Sequence, residues 1–393
     1  MSKRAVTGAD WRLALTNAGV DPDPITTILR STVGLPPDCP VLLAGSIADG
    51  LAVRSSDIDL FAICTRQDLQ GGLLSGRDHV SVACGERRLD VTLLDPDELR
   101  ALIARLAAFC ACQPPSNTQA DNFSIAERIR LHRVATGLPV AGFEAIAAFK
   151  AAIADHHLRL KRHCALEMIK RRKYSAQALA ETGDHRNLLF ICRDIVDETA
   201  DLLLAAAGDG SVALKWRMGR LRRAYPADGN PGTEDCGPGL WPALHDPAET
   251  YFRLSHFPLD DRLGPSLDYA RQVTGWADLV VLWSSAAGRI SDSDLALGQA
   301  AASRAALNLR LDCSLVSADD AFLLQLLNSA QPGWEVSPQA AAFIAHLNQP
   351  LHTHPANGAA SREPEWDTGA LLAFLRDQGF ASALDAVEER TPG

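Results

Sequence analysis

Apolar and polar positions alternate clearly in the first hundred residues. Val41-Leu-Leu-Ala44 is a short apolar run that leads directly into Gly45-Ser46, and it predicts a strand. Ile58 to Cys64 predicts a second strand, entered from Ser55-Ser56-Asp57. His79–Cys84 and Arg88–Leu94 flank Gly85-Glu86-Arg87 and predict a hairpin. In the latter run Leu89, Val91 and Leu93 fall on one face, with Asp90 and Thr92 on the other. Residues 10–35 read as helical and are closed by Pro36 and Pro37, while 66–78 reads as a connection.

Asp95-Pro-Asp-Glu98 opens a helix that an aspartate can cap, and from 97 to about 207 nearly all of the chain carries the helical period. Ala148–Lys173 begins apolar and ends basic; Asn187–Ala207 is amphipathic; 211–225 predicts a basic helix. The Gly-, Pro- and acid-rich stretch 226–247 marks a boundary. Beyond it, 248–305 reads as mixed helices and Ala306–Cys313 as strand-like. Helices are expected at Ser317–Leu327, Ser337–Leu347 and Gly369–Asp377, with a break at 350–365. The predicted fold class is α+β. An N-terminal α/β domain with a mixed sheet (1–96) precedes a mainly helical domain (97–225). A C-terminal domain (248–393) is expected to be mainly helical, with a small helical or winged-helix-like unit in it.

Composition narrows the function classes. The 393 residues carry a formal charge of −10, with 47% hydrophobic and 22% charged residues, which suits a folded chain with a substantial core. Net acidity disfavours wholesale coating of nucleic acid and leaves room for a local basic cleft. No apolar run approaches the roughly 18 residues needed to cross a bilayer, and the first residues do not read as a signal peptide. The nine cysteines are odd in number and mostly sit in apolar segments, so they are expected as reduced core thiols of a cytoplasmic protein. Cys110-Ala-Cys112 has no matching second pair for zinc, and His156-His157 has no third ligand.

The chemistry concentrates between 45 and 90. Asp57 and Asp59 are two apart at a strand start, so their carboxylates face one side while Ile58 and Leu60 face the core. If Asp90 lies on a neighbouring strand, three carboxylates converge. Such a group is costly without a counterion, and a hard divalent metal removes the cost. Gly45-Ser46 ends the preceding strand, where free N–H groups and a hydroxyl suit phosphate oxygens, and Gly50 lets the chain turn back.

Gly45-Ser46, Gly50, Ser56-Asp57-Ile58-Asp59-Leu60 and Asp90 together resemble the nucleotidyltransferase superfamily, whose catalytic fold is shared with DNA polymerase beta. The resemblance covers about residues 38–95. It implies that Asp57, Asp59 and Asp90 bind two Mg²⁺ ions, with Asp90 on the metal nearer the acceptor. It also implies that Gly45 and Ser46 hold the β- and γ-phosphates of a nucleoside triphosphate. One departure is Ile47-Ala48-Asp49-Gly50-Leu51, where many relatives carry Thr or Asn near the glycine.

The expected activity is Mg-dependent transfer of a nucleoside monophosphate, AMP from ATP being the first case, to a hydroxyl of a small molecule or a protein, with release of pyrophosphate. The alternatives are cyclic or oligonucleotide synthesis, addition to an RNA 3′ end, and an inactive nucleotide-binding scaffold. Nucleic acid is the less favoured partner, no membrane partner is expected, and the oligomeric state is open. Lys215 and Arg217 are candidate triphosphate contacts, with Trp216 a base-stacking or core residue. Asp194 and Asp197 are candidate general bases. Arg128 and His132 are candidate acceptor contacts, with a packed histidine the plainer reading of the latter. The basic run from Arg159 to Lys173 is either a charged helix surface or a face toward tRNA. In outline, 306–380 resembles the small winged-helix folds that recruit peptides in peptide-tailoring enzymes, without a diagnostic residue.

Overall fold

A computed structural model describes residues 10–69, 71–112, 122–213, 215–226, 246–255, 265–286, 307–318, 321–326, 333–347, 367–378 and 380–383. Most of the expected linker at 226–247, all of the break at 350–365, and Cys236 lie outside them. The chain forms two compact units, Met1–Lys161 with Gly210–Trp216, and Arg162–Asp209 with Arg217–Gly393.

The first unit is built on a five-stranded mixed sheet. Its strands are β1 (Val41–Ala44), β2 (Ile58–Ile63), β3 (His79–Cys84), β4 (Arg87–Leu94) and β5 (Leu138–Ala141). The spatial order is β3-β4-β2-β1-β5, and β2 and β4 run parallel while the other pairs are antiparallel. Burial explains the order. β1 is buried at every position and β2 at all but one, as interior strands covered on both faces should be. In β3, Val80 and Cys84 are buried while His79, Ser81 and Ala83 are exposed, the pattern of an edge strand. β5 was not expected, because 97–207 reads as helix. It is a four-residue edge strand containing Pro139, which an edge tolerates and a helix interior does not.

Around this sheet lie α1 (Asp10–Asn17) and α2 (Asp23–Ile28), α3 (Gly45–Ala48), α4 (Pro96–Ala111), α5 (Ile125–Thr136) and α6 (Phe143–Ile153). The helical stretch expected over 10–35 is thus interrupted between α1 and α2, where Gly19 has a φ of 74°. Asp95 caps α4, its carboxylate accepting from the N–H groups of Asp97 (2.8 Å) and Glu98 (3.2 Å). Trp11, Leu15, Ile25, Val33, Leu43, Ile47, Ile58, Leu60, Leu89 and Val91 belong to the core of this unit. α7 (His156–Thr182) begins in this unit and continues into the second.

The second unit continues with α8 (His185–Ala206), α9 (Arg217–Ala224), α10 (Pro247–Ser255) and α11 (Pro265–Ala286). Leu188, Ile195, Val196, Leu203, Val273 and Trp276 are among the residues of its helical core. Lys173 is buried there, its ammonium 2.6 Å from Asp278 Oδ1 and bonded to the Cys313 carbonyl. Burial pushes the Asp278 carboxyl up, against the opposing pull of Lys173.

The C-terminal part corrects one expectation. The described residues of the expected helix 317–327 lie in strands. β7 (Cys313–Ala318) and β8 (Ala321–Leu326) form an antiparallel pair that β9 (Trp334–Val336) extends. Buried Cys313 and Leu315, then Phe322 and Leu324, recur every second residue, which is the strand period. β6 (Leu307–Leu309) pairs instead with β10 (Ala381–Ala383). The expected helices at 337–347 and 369–377 are present as α12 (Pro338–Leu347) and α13 (Thr368–Asp377). Among the described residues no helix is long and apolar enough to cross a membrane.

Candidate functional site

The β1–α3–β2 segment is shaped by its small residues. Ala44 pairs with Asp59 across β1 and β2, so the chain leaves β1 at Gly45 beside that carboxylate. Gly45 has a φ of 70°, and a Cβ there would lie 2.2 Å from Asp59 Oδ2. Only glycine satisfies both the backbone and the contact. The chain then turns through α3, where the Leu51 N–H donates to the Ser46 carbonyl at 2.8 Å. Ser56 is buried, and its Oγ accepts from the Val53 N–H at 3.0 Å, fixing the turn that delivers Asp57 to the start of β2. Arg87 at the head of β4 donates to the Ser56 carbonyl (3.2 Å) and to the Ala18 carbonyl.

β4 supplies the next carboxylate. In the parallel β2–β4 register Asp59 is the partner of Asp90, and Ile58 of Leu89. Side chains at paired positions share a face, so the two acids stand side by side while the leucine and isoleucine enter the core. Asp57, one residue before β2, remains about half exposed, and its Oδ1 lies 3.5 Å from Arg88 Nε. Arg88 also reaches Asp90, Nη2 to Oδ2 at 3.3 Å, and so bridges the two carboxylates. Arg133 on α5 lies 3.8 Å from Asp59 Oδ1 and rests over the Phe61 ring. His79 Nε2 is 4.0 Å from Asp90 Oδ1, and its Nδ1 is 3.2 Å from Thr92 Oγ1.

These charges act on Asp59. Burial lifts its carboxyl above the ordinary range; Arg133 opposes this, Asp90 and Asp57 add to it, and Lys215 opposes it. Asp57 and Asp90 are therefore close enough to repel Asp59, and Lys215 close enough to relieve it. Lys215 is exposed, and its ammonium lies 5.2 Å from the centre of the half-buried Trp216 ring.

Other candidates are placed elsewhere. Arg217 is not available to a phosphate. It is buried in the second unit, 2.7 Å from Asp197 and 2.8 Å from Asp201, and these two carboxylates hold it protonated against the cost of burial. Asp197 also accepts from the Tyr251 hydroxyl at 3.0 Å, and Asp194 is paired with Arg172 at 3.1 Å. Neither aspartate is a free base. His132 is buried against His157, with ring centres 5.9 Å apart, as a packed histidine should be. Within the basic run, Lys161 and Lys173 are buried and hydrogen-bonded, while Lys170 and Arg172 pair with Glu167 and Asp194. These four basic groups are engaged within the protein.

Sequence reasoning missed Arg88, Arg133 and His79. Arg88 was findable, since it lies two residues before Asp90 and therefore on the same strand face. Arg133 and His79 reach the acids only through tertiary packing.

Among the described residues no group of three or more His, Cys, Asp or Glu is already arranged as a metal cage. The donor chemistry nevertheless suits a hard cation. Two carboxylates lie side by side, a third is one bridging guanidinium away, and the buried Oδ1 of Asp90 has no hydrogen-bond partner. No protein-family model and no curated protein matches the chain.

Proposed function

We propose that the chain is a magnesium-dependent nucleotidyltransferase that transfers a nucleoside monophosphate, with ATP the first donor to test, to a hydroxyl of a small molecule or protein. The observation that carries this reading is the Asp59–Asp90 pair on adjacent parallel strands, with Gly45 pressed against Asp59. Asp57, Asp59 and Asp90 would hold Mg²⁺, whose chemistry here is to polarise the phosphate and acidify the acceptor hydroxyl. The Gly45-Ser46 turn, without a side chain at its first position, would receive the triphosphate. The exposed ammonium of Lys215 would neutralise phosphate charge from the same unit. In the reaction the acceptor oxygen bonds to the α-phosphorus, the α–β phosphoanhydride bond breaks, and pyrophosphate leaves. Asp90, on the metal nearer the acceptor, would also help take the acceptor's proton. For Asp57 and Asp90 to serve as metal ligands, Arg88 would have to give up its contacts with both.

The test is incubation of the purified chain with Mg²⁺ and each of the four nucleoside triphosphates. Pyrophosphate release is followed, with mass spectrometry of the protein and of co-purifying molecules. A nucleotide-specific signal lost in Asp57→Asn/Asp59→Asn supports the reading, and transfer that survives the double change sinks the site. One observation favours a second reading. Arg88 already supplies a counter-charge to two of the acids, as it would in a nucleotide-binding scaffold that performs no transfer. Tight Mg–nucleotide binding with no pyrophosphate release from any acceptor mixture would favour that alternative.

A further inference from the structure

The end of the β1–β2 ladder opposite the acids holds two cysteines. Val41 pairs with Ala62, and the Ile63 N–H donates to the Pro40 carbonyl at 2.8 Å, so the antiparallel register continues outward. Its next position sets Cys39 opposite Cys64. Pro40 and Ile63 form the hydrogen-bonded pair, which makes Cys39 and Cys64 a non-hydrogen-bonded pair. Residues at such positions have Cα atoms roughly 4.5 Å apart, inside the range of about 4.4–6.8 Å that a disulfide spans. The side chains do meet. The Cys39 thiol donates to the Pro40 carbonyl at 3.6 Å, the two thiols are close enough that each shifts the other's ionisation, and neither residue is bridged.

We propose that Cys39 and Cys64 are a redox modification site, closed by peroxide into a reversible cross-strand disulfide that staples the β1–β2 hairpin. This inference does not depend on the nucleotidyltransferase reading. The two cysteines are 3% and 6% exposed, so the oxidant must be small, and hydrogen peroxide is of that class. Access is short, because Pro37, Asp38 and Arg66, close by in the chain, are exposed. The neighbouring Cys39 thiol holds the Cys64 thiol below its ordinary range, while Cys64 and burial push Cys39 up, so Cys64 ionises first. Its thiolate attacks one peroxide oxygen, the O–O bond breaks, hydroxide leaves, and Cys64 becomes a sulfenic acid. The Cys39 sulfur then attacks the Cys64 sulfur and loses its proton, the S–O bond breaks, and water leaves. In sum, two thiols and one peroxide give one disulfide and two waters. The closed loop contains Gly45, Ser46, Asp57 and Asp59, whereas Asp90 lies outside it. Oxidation therefore tethers the two strands that carry most of the acid site, at the end remote from it, and reduction releases them.

The test uses the full wild-type chain. It is treated with hydrogen peroxide, quenched, alkylated in denaturant, digested and mapped by mass spectrometry. The expected product is a Cys39–Cys64 linked peptide pair, two hydrogens lighter than its parts, which dithiothreitol returns to free thiols. The oxidised chain should also melt at a higher temperature than the reduced chain. In Cys39→Ser, which keeps a polar hydrogen beside Cys64 but removes the second sulfur, the Cys64 sulfenic acid should persist and be trapped by a dimedone-type probe in most of the chain, against little in wild type. Three outcomes would overturn the proposal: both thiols still alkylatable after peroxide, Cys64 driven to sulfinic acid with Cys39 free, or links to other cysteines in equal yield. Because the mapping is read on the wild-type protein, it stands even if the variant fails to fold.

Discussion

Asp59 faces Asp90 across a parallel strand pair, while Gly45 leaves no room for even one carbon between the backbone and the Asp59 carboxylate. The acid is thereby held by its neighbours rather than by its own rotamer preference. That arrangement makes Gly45 the most sensitive position in the segment. Gly45→Ala should destabilise the chain by about 1–3 kcal/mol, from the left-handed backbone and the displaced carboxylate. It should also weaken divalent-cation binding. Urea unfolding and a Mn²⁺ titration would read the two effects separately.

Arg88 acts as the counter-charge of Asp57 and Asp90. Its side chain is 64% exposed, so the pair is worth little to stability. Arg88→Ala should leave the melting temperature nearly unchanged while tightening Mg²⁺ or Mn²⁺ binding by roughly two- to five-fold, the scale of an exposed ion pair. Calorimetric titration decides. Equal affinity in both proteins removes Arg88 from the site. Absence of binding in either, at millimolar metal, counts against the cation reading itself.

The start of α5 offers a pH prediction. Ser124 and Glu127 form a reciprocal cap, the Glu127 N–H reaching Ser124 Oγ at 3.2 Å and the Ser124 N–H reaching Glu127 Oε2 at 2.8 Å. Arg105 adds a bond to Glu127 Oε1 at 2.8 Å. Partial burial raises the Glu127 carboxyl, but these bonds outweigh it and hold it below the ordinary value of 4.5. A depressed carboxylate stabilises the fold above its unfolded value, and that stabilisation is lost as pH falls through the folded value. Denaturation midpoints measured from pH 6 down to 3 should therefore fall less steeply in Glu127→Gln than in wild type. Ser124→Ala should cost about 1 kcal/mol at neutral pH.

In the second unit, Lys173 and Asp278 test how a buried pair is held. Removing one partner strands a charge, so Lys173→Met should cost on the order of 3–5 kcal/mol. The double change Lys173→Met/Asp278→Leu should recover much of that loss, because the desolvated charges leave together. Chemical unfolding of the four proteins gives the coupling directly. Additive losses would show that the pair is not acting as a unit.

Local sequence was enough for the strands on either side of Gly45-Ser46, the hairpin at 79–94, the cap of α4, and the face on which each acid lies. Those are local properties, set by a two-residue side-chain period and by residue chemistry at element ends. Tertiary structure alone decided that β4 inserts beside β2 in parallel, so that Asp59 rather than Asp57 stands beside Asp90. It also decided that Arg133, far along the chain, reaches Asp59, and that Arg217 is consumed by Asp197 and Asp201 while Lys215 stays exposed. A strand's alternation fixes which way its side chains point but not which strand it joins or in what register. A helix's charge pattern does not say which charges will find partners. The run at 317–327 shows the same limit at shorter range. Its apolar residues fit either period until Phe322 and Leu324 are seen buried together against the core, and only packing chose the strand.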